Sequence, residues 1–72
     1  MNLIILKSDI DSSEKLVSVK KALSNLSEIL DWNVDFMDID KVLRIECAQV
    51  ISESAVIDQC KNVGIICEPL PE

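Results

Sequence analysis

The spacing of apolar residues changes along the chain, and each change marks a different secondary-structure element. Residues 3–6 form a continuous apolar run, which is typical of a strand buried in the middle of a sheet. A stripe at steps of three and four residues follows and predicts the buried side of an amphipathic helix. Its members are Leu16, Val19, Leu23 and Leu26. The chain is therefore predicted to begin with a strand followed by a helix.

A capping box is predicted at the start of this helix, in the sequence Asp11-Ser12-Ser13-Glu14. In this interpretation the Asp11 side chain accepts a hydrogen bond from the main-chain amide three residues ahead, and Glu14 reaches back to the cap. Both side chains then satisfy amides that have no partner within the helix. We expect the helix to begin directly after Asp11.

Strict alternation of apolar and polar residues predicts two further strands, each with one face in the core. The apolar positions are Leu30, Trp32, Val34 and Phe36 in the first strand, and Leu43, Ile45 and Cys47 in the second. Residues 38–41 are the predicted turn between them. Pairing of Phe36 with Leu43 would match two core residues. The same register would place Asp35 opposite Arg44, so opposite charges on the solvent face favour it as well.

A second helix and a last strand complete the pattern. Ser52 is suited to cap the helix. Gly64, the only glycine of the chain, suits the left-handed position just past the helix end, because it has no Cβ to clash. Residues 65–68 form the predicted last strand, which Pro69 and Pro71 stop. The predicted buried stripe of the helix consists of Val56, Cys60 and Val63.

The predicted order of elements is strand, helix, strand, strand, helix, strand. In such a chain the two strand–helix–strand halves interlock, with right-handed crossovers, as a ferredoxin-like sandwich. We therefore predict an α+β fold with a four-stranded antiparallel sheet and both helices on one face. Residues 1–72 are expected to form one domain, since a chain of 72 residues has room for a single core.

Composition and charge exclude several classes of function. Seven basic and thirteen acidic residues give a net charge of −6, whereas a binder of nucleic acid or of anionic membranes would need a basic face. The chain has no histidine, which excludes histidine-based acid–base catalysis and serine–histidine triads. No glycine-rich phosphate loop occurs, and no apolar run approaches the roughly 20 residues of a membrane-spanning helix. We expect a cytoplasmic protein that is not an enzyme and that carries no cofactor.

Three cysteines, Cys47, Cys60 and Cys67, form an odd set without a Cys-x-x-Cys pair. A small disulfide-stapled domain would carry an even and denser set, so free cysteines that pack as small hydrophobic residues are expected. In the predicted sheet the first strand separates Cys47 from Cys67 by about 10 Å, too far for a disulfide or a shared ion. A functional pair of Cys60 and Cys67 remains an alternative, since the second helix could bring these two thiols together.

A series of local phrases spans almost the whole chain. They are Leu6-Lys7-Ser8-Asp9-Ile10, residues 19–23, Trp32-Asn33-Val34-Asp35, residues 41–46 and Val63-Gly64-Ile65. In this order they resemble the heavy-metal-associated domain family, which comprises soft-metal chaperones and the metal-binding modules of metal-pumping ATPases. The resemblance implies a loop between the first strand and the first helix in which a Cys-x-x-Cys holds copper(I), zinc or a similar ion.

The resemblance places the two ligand positions of that motif at Ser12 and Lys15. A neutral hydroxyl is a poor ligand for copper(I), and a protonated lysine repels any cation. We therefore expect no metal ion at the family's site. The loop keeps four polar residues as a candidate binding loop: Asp9, Asp11, Ser12 and Lys15.

The carboxylates of this loop permit a second interpretation. Asp9, Asp11 and Glu14 could supply the oxygen ligands that calcium or magnesium prefers. Their spacing does not fit an EF-hand loop, because Glu14 stands where glycine is required and Lys20 where the bidentate carboxylate belongs. Capping by Asp11 and Glu14 explains the same carboxylates without a metal.

The sheet face without helices offers a further candidate site. Leu3, Ile5, Val42 and Ile66 are expected on this face. Together they could form an apolar patch for a protein partner or for a second copy of the chain. Scattered exposed aliphatic residues are also ordinary, so both interpretations stay open.

The sequence thus predicts a small stand-alone domain that resembles the heavy-metal-associated family, lacks its thiolate site and acts as a binding or interaction module. The alternative is a copper- or zinc-type chaperone or sensor that uses a displaced site or ligands from a second chain. The cysteines distinguish the two functions, since thiols that stay unreactive until the protein unfolds cannot form a displaced thiolate site.

Overall fold

A computed structural model describes residues 2–70 and confirms the predicted order of elements. The elements are β1 (Asn2–Ser8), α1 (Ser13–Leu23), β2 (Ile29–Asp35), β3 (Val42–Cys47), α2 (Glu53–Asn62) and β4 (Cys67–Pro69). The four strands form one sheet in the order β2-β3-β1-β4, and every neighbouring pair is antiparallel. The predicted ferredoxin-like α+β sandwich is confirmed. Neither helix in this part of the chain has the length and apolar character needed to cross a membrane.

The two middle strands supply the sheet side of the core. Ile4 pairs with Ile45, Leu6 pairs with Leu43, and all these side chains are buried. Burial of a side chain of this size contributes roughly 1.5–3 kcal/mol. The core cluster contains Ile4, Leu6, Ile10, Val19, Leu23, Leu43, Ile45, Cys47, Val56, Cys60, Ile65 and Cys67. Because residues of both helices belong to this one cluster, the two helices cover the same face of the sheet.

The β2–β3 hairpin is paired two residues away from the predicted register. The observed pairs are Val34 with Leu43 and Asn33 with Arg44, in place of Phe36 with Leu43 and Asp35 with Arg44. The turn begins early because the Oδ1 atom of Asp35 accepts the main-chain amide of Met37 at 3.0 Å. Phe36 therefore leaves the strand and is exposed, contrary to its predicted core position. A shift of two residues keeps the same faces inward, so the other core positions are unaffected.

A bulge near the start of β2 changes which side chain points inward. The pairs on either side of it are Ile29 with Cys47 and Asp31 with Glu46. Leu30 is thus an extra residue that has no partner in β3. It is 62% exposed, whereas Ile29 packs against the core. The predicted core position of Leu30 is therefore wrong.

The first helix is capped by Ser12 rather than by Asp11. Ser12 has an extended backbone, and its Oγ accepts the main-chain amide of Lys15 at 3.3 Å. The predicted capping box is wrong by one residue, since Lys15 and not Glu14 takes the third helical position. The Glu14 carboxylate still lies in the first turn, where the helix dipole favours a negative charge.

The second helix begins and ends as predicted. The Oγ of Ser52 accepts the main-chain amide three residues ahead at 3.2 Å. At the other end Gly64 has a φ of +82°, in the left-handed region. Gly64 donates to the carbonyl of Lys61 at 3.0 Å, and Ile65 donates to the carbonyl of Cys60 at 2.9 Å. These two bonds form a Schellman motif and satisfy carbonyls that the helix leaves free.

The last strand is shorter than predicted and lies at the edge of the sheet. It spans Cys67–Pro69, so the expected start at residue 65 is wrong, and Pro69 belongs to the strand instead of stopping it. An edge strand tolerates proline because its outward side needs no donor. Ile65 packs in the core ahead of the strand. Pro71 lies outside the described residues.

Candidate binding loop

Residues 9–12 connect β1 to α1 at one end of the sandwich. Ile10 is fully buried in this loop and fixes it to the core. The polar side chains of Asp9, Asp11 and Lys15 lie at the surface of this loop and are partly exposed. The fold therefore brings the predicted loop residues together, and the Ser12 hydroxyl is engaged as the helix cap.

The Lys15 ammonium lies between the two carboxylates of the loop. Its Nζ is 3.4 Å from Oδ2 of Asp9 and 3.3 Å from Oδ1 of Asp11. It also donates to the main-chain oxygen of Asp9 at 3.1 Å. Because Lys15 belongs to the first turn of α1, the helix directs this ammonium back over the loop that precedes it. Three oxygen atoms thus share one positive charge that is part of the chain.

The surroundings of Lys15 raise the pKa of its ammonium above the ordinary value of 10.5. Desolvation by itself lowers this pKa, but hydrogen bonds and Coulomb attraction to Asp11 and Asp9 act in the opposite direction and prevail. The ammonium is therefore charged throughout the neutral range.

Asp9 also ties the loop to the segment that leads into β4. Its main-chain amide donates to the carbonyl of Ile66 at 3.2 Å, and its Oδ1 accepts the amide of Ile66 at 3.0 Å. One carboxylate thus connects α1, through Lys15, to a segment 57 residues away in sequence. Sequence reasoning missed this link, because a main-chain partner leaves no residue pattern. The available signal was the polar pair Ser8-Asp9 directly after an apolar strand.

The β2–β3 turn is fastened to the same end of the sandwich. The main-chain amide of Ser8 donates to the carbonyl of Asp40 at 3.0 Å, and the Ser8 hydroxyl donates to the carbonyl of Lys41. Lys7 adds a long ion pair with Asp40 at 4.0 Å. Three connections therefore meet here: the β1–α1 loop, the β2–β3 turn and the segment before β4.

In the described part of the chain, no third acidic or sulfur ligand joins the loop carboxylates. Within residues 2–70 no three side chains of cysteine, aspartate or glutamate are grouped so as to hold a metal ion. One carboxylate oxygen of Asp9 and one of Asp11 lie beside the Lys15 ammonium.

All three cysteines are free and buried, which confirms their predicted core positions. Cys47 pairs with Asn2 and Cys67 with Ser8, so these two thiols lie at opposite ends of β1. Six residues of strand correspond to about 20 Å, and the predicted separation of about 10 Å is therefore too small. Cys60 and Cys67 are neighbours. Their mutual hydrogen bond lowers the pKa of Cys60, and the same bond together with burial raises the pKa of Cys67.

The four residues predicted for the open face of the sheet differ in their exposure. Val42 is only 7% exposed. Leu3 is exposed but lies opposite Glu46. Ile66 is exposed at the other end of the sheet, beside Asp9. Ile5 lies two residues from Leu3 on the same side of β1 and is half-buried.

Solved structures share this fold. The N-terminal domain of PacS from Synechocystis PCC6803 has a TM-score of 0.79 at 12% identity, over 99% of this chain and 100% of that one. The copper-binding domain of HMA7, a P-type ATPase, has a TM-score of 0.78 at 18% identity, over 100% and 97%. The yeast copper transporter domain Ccc2a, solved in apo and Cu(I)-loaded states, has a TM-score of 0.80 at 12% identity, over 99% and 97%.

At these identities the likeness establishes the fold, which is that of the heavy-metal-associated domains. No protein-family model matches the chain. No curated protein matches it either.

Proposed function

We propose that this chain is a member of the heavy-metal-associated family that has lost its thiolate site and works as a protein-interaction module in the cytoplasm. The observation that carries the proposal is the position of the Lys15 ammonium. It lies among three oxygen atoms in the loop where the family resemblance expects a metal-binding side chain.

The chemistry of the loop supports this proposal. Copper(I) and similar soft ions select thiolates, whereas the two corresponding positions hold the hydroxyl of Ser12 and the ammonium of Lys15. The hydroxyl already accepts a main-chain hydrogen bond, and the ammonium repels an incoming cation. This donor set does not fit a soft metal ion.

The experiment is a copper(I) titration under reducing conditions against a chromophoric chelator. The wild-type protein is expected to leave the copper with the chelator. The double variant Ser12→Cys with Lys15→Cys is expected to remove one equivalent, which shows that the assay detects a competent loop. Tight one-to-one binding by the wild type, lost in Asp9→Ala or Asp11→Ala, would overturn the proposal.

A second candidate function is a metal chaperone or sensor with a displaced site. The neighbouring thiols of Cys60 and Cys67 favour it, because two thiolates can hold a soft cation. The same titration separates the two functions. Copper binding that persists in the loop variants but disappears in Cys60→Ala and in Cys67→Ala would establish the displaced site. Cys47→Ala, which alters the remote thiol, is the matched control.

A further inference from the structure

The β2–β3 turn, residues 36–41, carries a concentrated group of exposed apolar side chains. Met37 is 94% exposed and Ile39 is 93% exposed, and Phe36 beside them is also exposed. Single exposed apolar residues are ordinary, but three within four positions concentrate apolar surface at this end of the hairpin, here called the apolar tip.

Hydrogen bonds hold this tip in a defined shape. Asp35 accepts the amide of Met37 at 3.0 Å, and Asp38 accepts the amide of Asp40 at 2.8 Å. The Lys41 ammonium donates to the carbonyl of Phe36 at 2.9 Å. Because the turn is already ordered, a partner that contacts the tip has little backbone entropy to remove.

The apolar tip is surrounded by negative charge. Asp35 and Asp38 flank Met37, and their carboxylates accept main-chain amides without an ion-pair partner among the described residues. Asp40 is paired with Lys7 at the long distance of 4.0 Å. The complementary surface is therefore an apolar recess with a positive rim.

Such a recess exists on α1 of the same chain. Val17, Lys20, Lys21 and Ser24 line a shallow surface recess of about 270 Å³. Val17 is 66% exposed and provides an apolar floor, which the aliphatic stems of the two lysines extend. Neither lysine has an ion-pair partner among the described residues, so both ammonium groups can meet the carboxylates of the turn.

The turn and the recess lie at opposite ends of the molecule. The turn follows the end of β2, whereas Lys20 and Ser24 also line a pocket with Ile29, at the start of that strand. Seven residues of strand span about 23 Å. A chain therefore cannot place its own tip in its own recess, so a contact between tip and recess would have to join two molecules head to tail.

We propose that the apolar tip of one copy docks into the α1 recess of a second copy. The proposal rests on the proposed function as an interaction module, and it names the partner. The two molecules use different surfaces in the contact, so a pair of copies keeps one free tip and one free recess and the association can extend. A contact made by so few side chains implies weak affinity, with a Kd of about 0.1–1 mM. Two copies repel each other because each carries a net charge of −6. Salt near 0.15 M screens this repulsion beyond about 8 Å, whereas the close pairs between turn carboxylates and α1 lysines are screened less.

Sedimentation of the full chain at about 1 mM in physiological salt tests this contact. The wild type is expected to form dimers and longer species. A turn variant, Met37→Ser with Ile39→Ser, is expected to be monomeric. A recess variant, Val17→Ser with Lys20→Glu and Lys21→Glu, is expected to be monomeric as well. Mixed together, the two variants are expected to form a one-to-one pair that grows no further, since only one intact tip and one intact recess remain.

Val50→Ser, which removes an exposed apolar side chain elsewhere, is the control and should leave the association unchanged. A monomeric wild type overturns the proposal and points to a foreign basic partner for the turn. A mixture of the two variants that stays monomeric also overturns it. Thermal melts check that each variant is folded. The sedimentation experiment contains no metal. A monomeric result would therefore count against self-association alone, whereas copper binding in the titration would count against the proposed function.

Discussion

The ammonium of Lys15 donates to the main-chain oxygen of Asp9 at 3.1 Å and lies 3.4 Å from its carboxylate. A side chain of the first helix thus closes the loop that leads into that helix. The other oxygen of the Asp9 carboxylate accepts the amide of Ile66. Asp9 therefore connects the loop, α1 and the segment before β4, and its replacement should lower the stability of the whole fold.

Asp9→Ala should lower the free energy of unfolding by about 1 kcal/mol, since the Ile66 amide loses its side-chain acceptor. Asp11→Ala is the matched control and should cost less, because Asp11 contributes only an exposed ion pair. Urea denaturation followed by circular dichroism measures both changes. Equal losses in the two variants would contradict the role assigned to Asp9.

The Lys15 contacts predict a change in stability at alkaline pH. The folded-state pKa of Lys15 is raised above 10.5, so its stabilising contribution is complete below that pH and disappears as the pH rises through the folded-state pKa. The difference in unfolding free energy between the wild type and Lys15→Met should therefore shrink at high pH. Ionisation of the cysteines also changes the unfolding free energy at high pH, but it does so in both proteins and cancels in the difference. A difference that stays constant up to about pH 12 would contradict the prediction.

Gly64→Ala should destabilise the protein by about 1–2 kcal/mol, because an L-residue must adopt the left-handed conformation at φ +82°. A Cβ at this position would meet no atom within 4 Å beyond the residue itself and its two chain neighbours, so the cost arises from the local backbone conformation and not from packing against the rest of the fold. Gly64→Asn should cost less, since asparagine tolerates this region. Thermal unfolding of both variants gives the comparison, and equal effects would indicate that the space around the residue matters after all.

The bulge in β2 predicts opposite behaviour for two adjacent residues. Ile29→Ala should cost about 1–3 kcal/mol, because Ile29 packs against the core. Leu30→Ala should change the stability by no more than about 0.5 kcal/mol, because Leu30 is exposed. Chemical denaturation measures both changes. In a regular strand without the bulge, Leu30→Ala would cause the larger loss of unfolding free energy.

The order of the elements is predictable from the sequence because the spacing of apolar residues differs between strands and helices. The buried positions of Val19, Val56 and Cys60 follow from helical spacing alone. The position of Gly64 follows from its lack of a Cβ.

The parts that sequence cannot supply depend on contacts between distant segments or on single insertions. The bulge at Leu30 adds one residue without changing the composition of the strand. The hairpin register depends on the hydrogen bond from the Met37 amide to Asp35, which ends β2 before Phe36. The alternation of apolar and polar residues does not reveal this bond. At the candidate site the residues of the loop are predictable, whereas the link between Asp9 and Ile66 joins a side chain to a backbone 57 residues away.

The attachment of the Lys15 ammonium to the chain has a further consequence. A free ion enters and leaves a loop according to its concentration, whereas a covalently attached charge is present in every molecule at the same stoichiometry. Under the proposed function, a loop closed in this way has no loaded and empty forms to exchange. The surfaces that meet at this end of the sandwich would then keep one arrangement whatever the supply of ions in the surrounding solution.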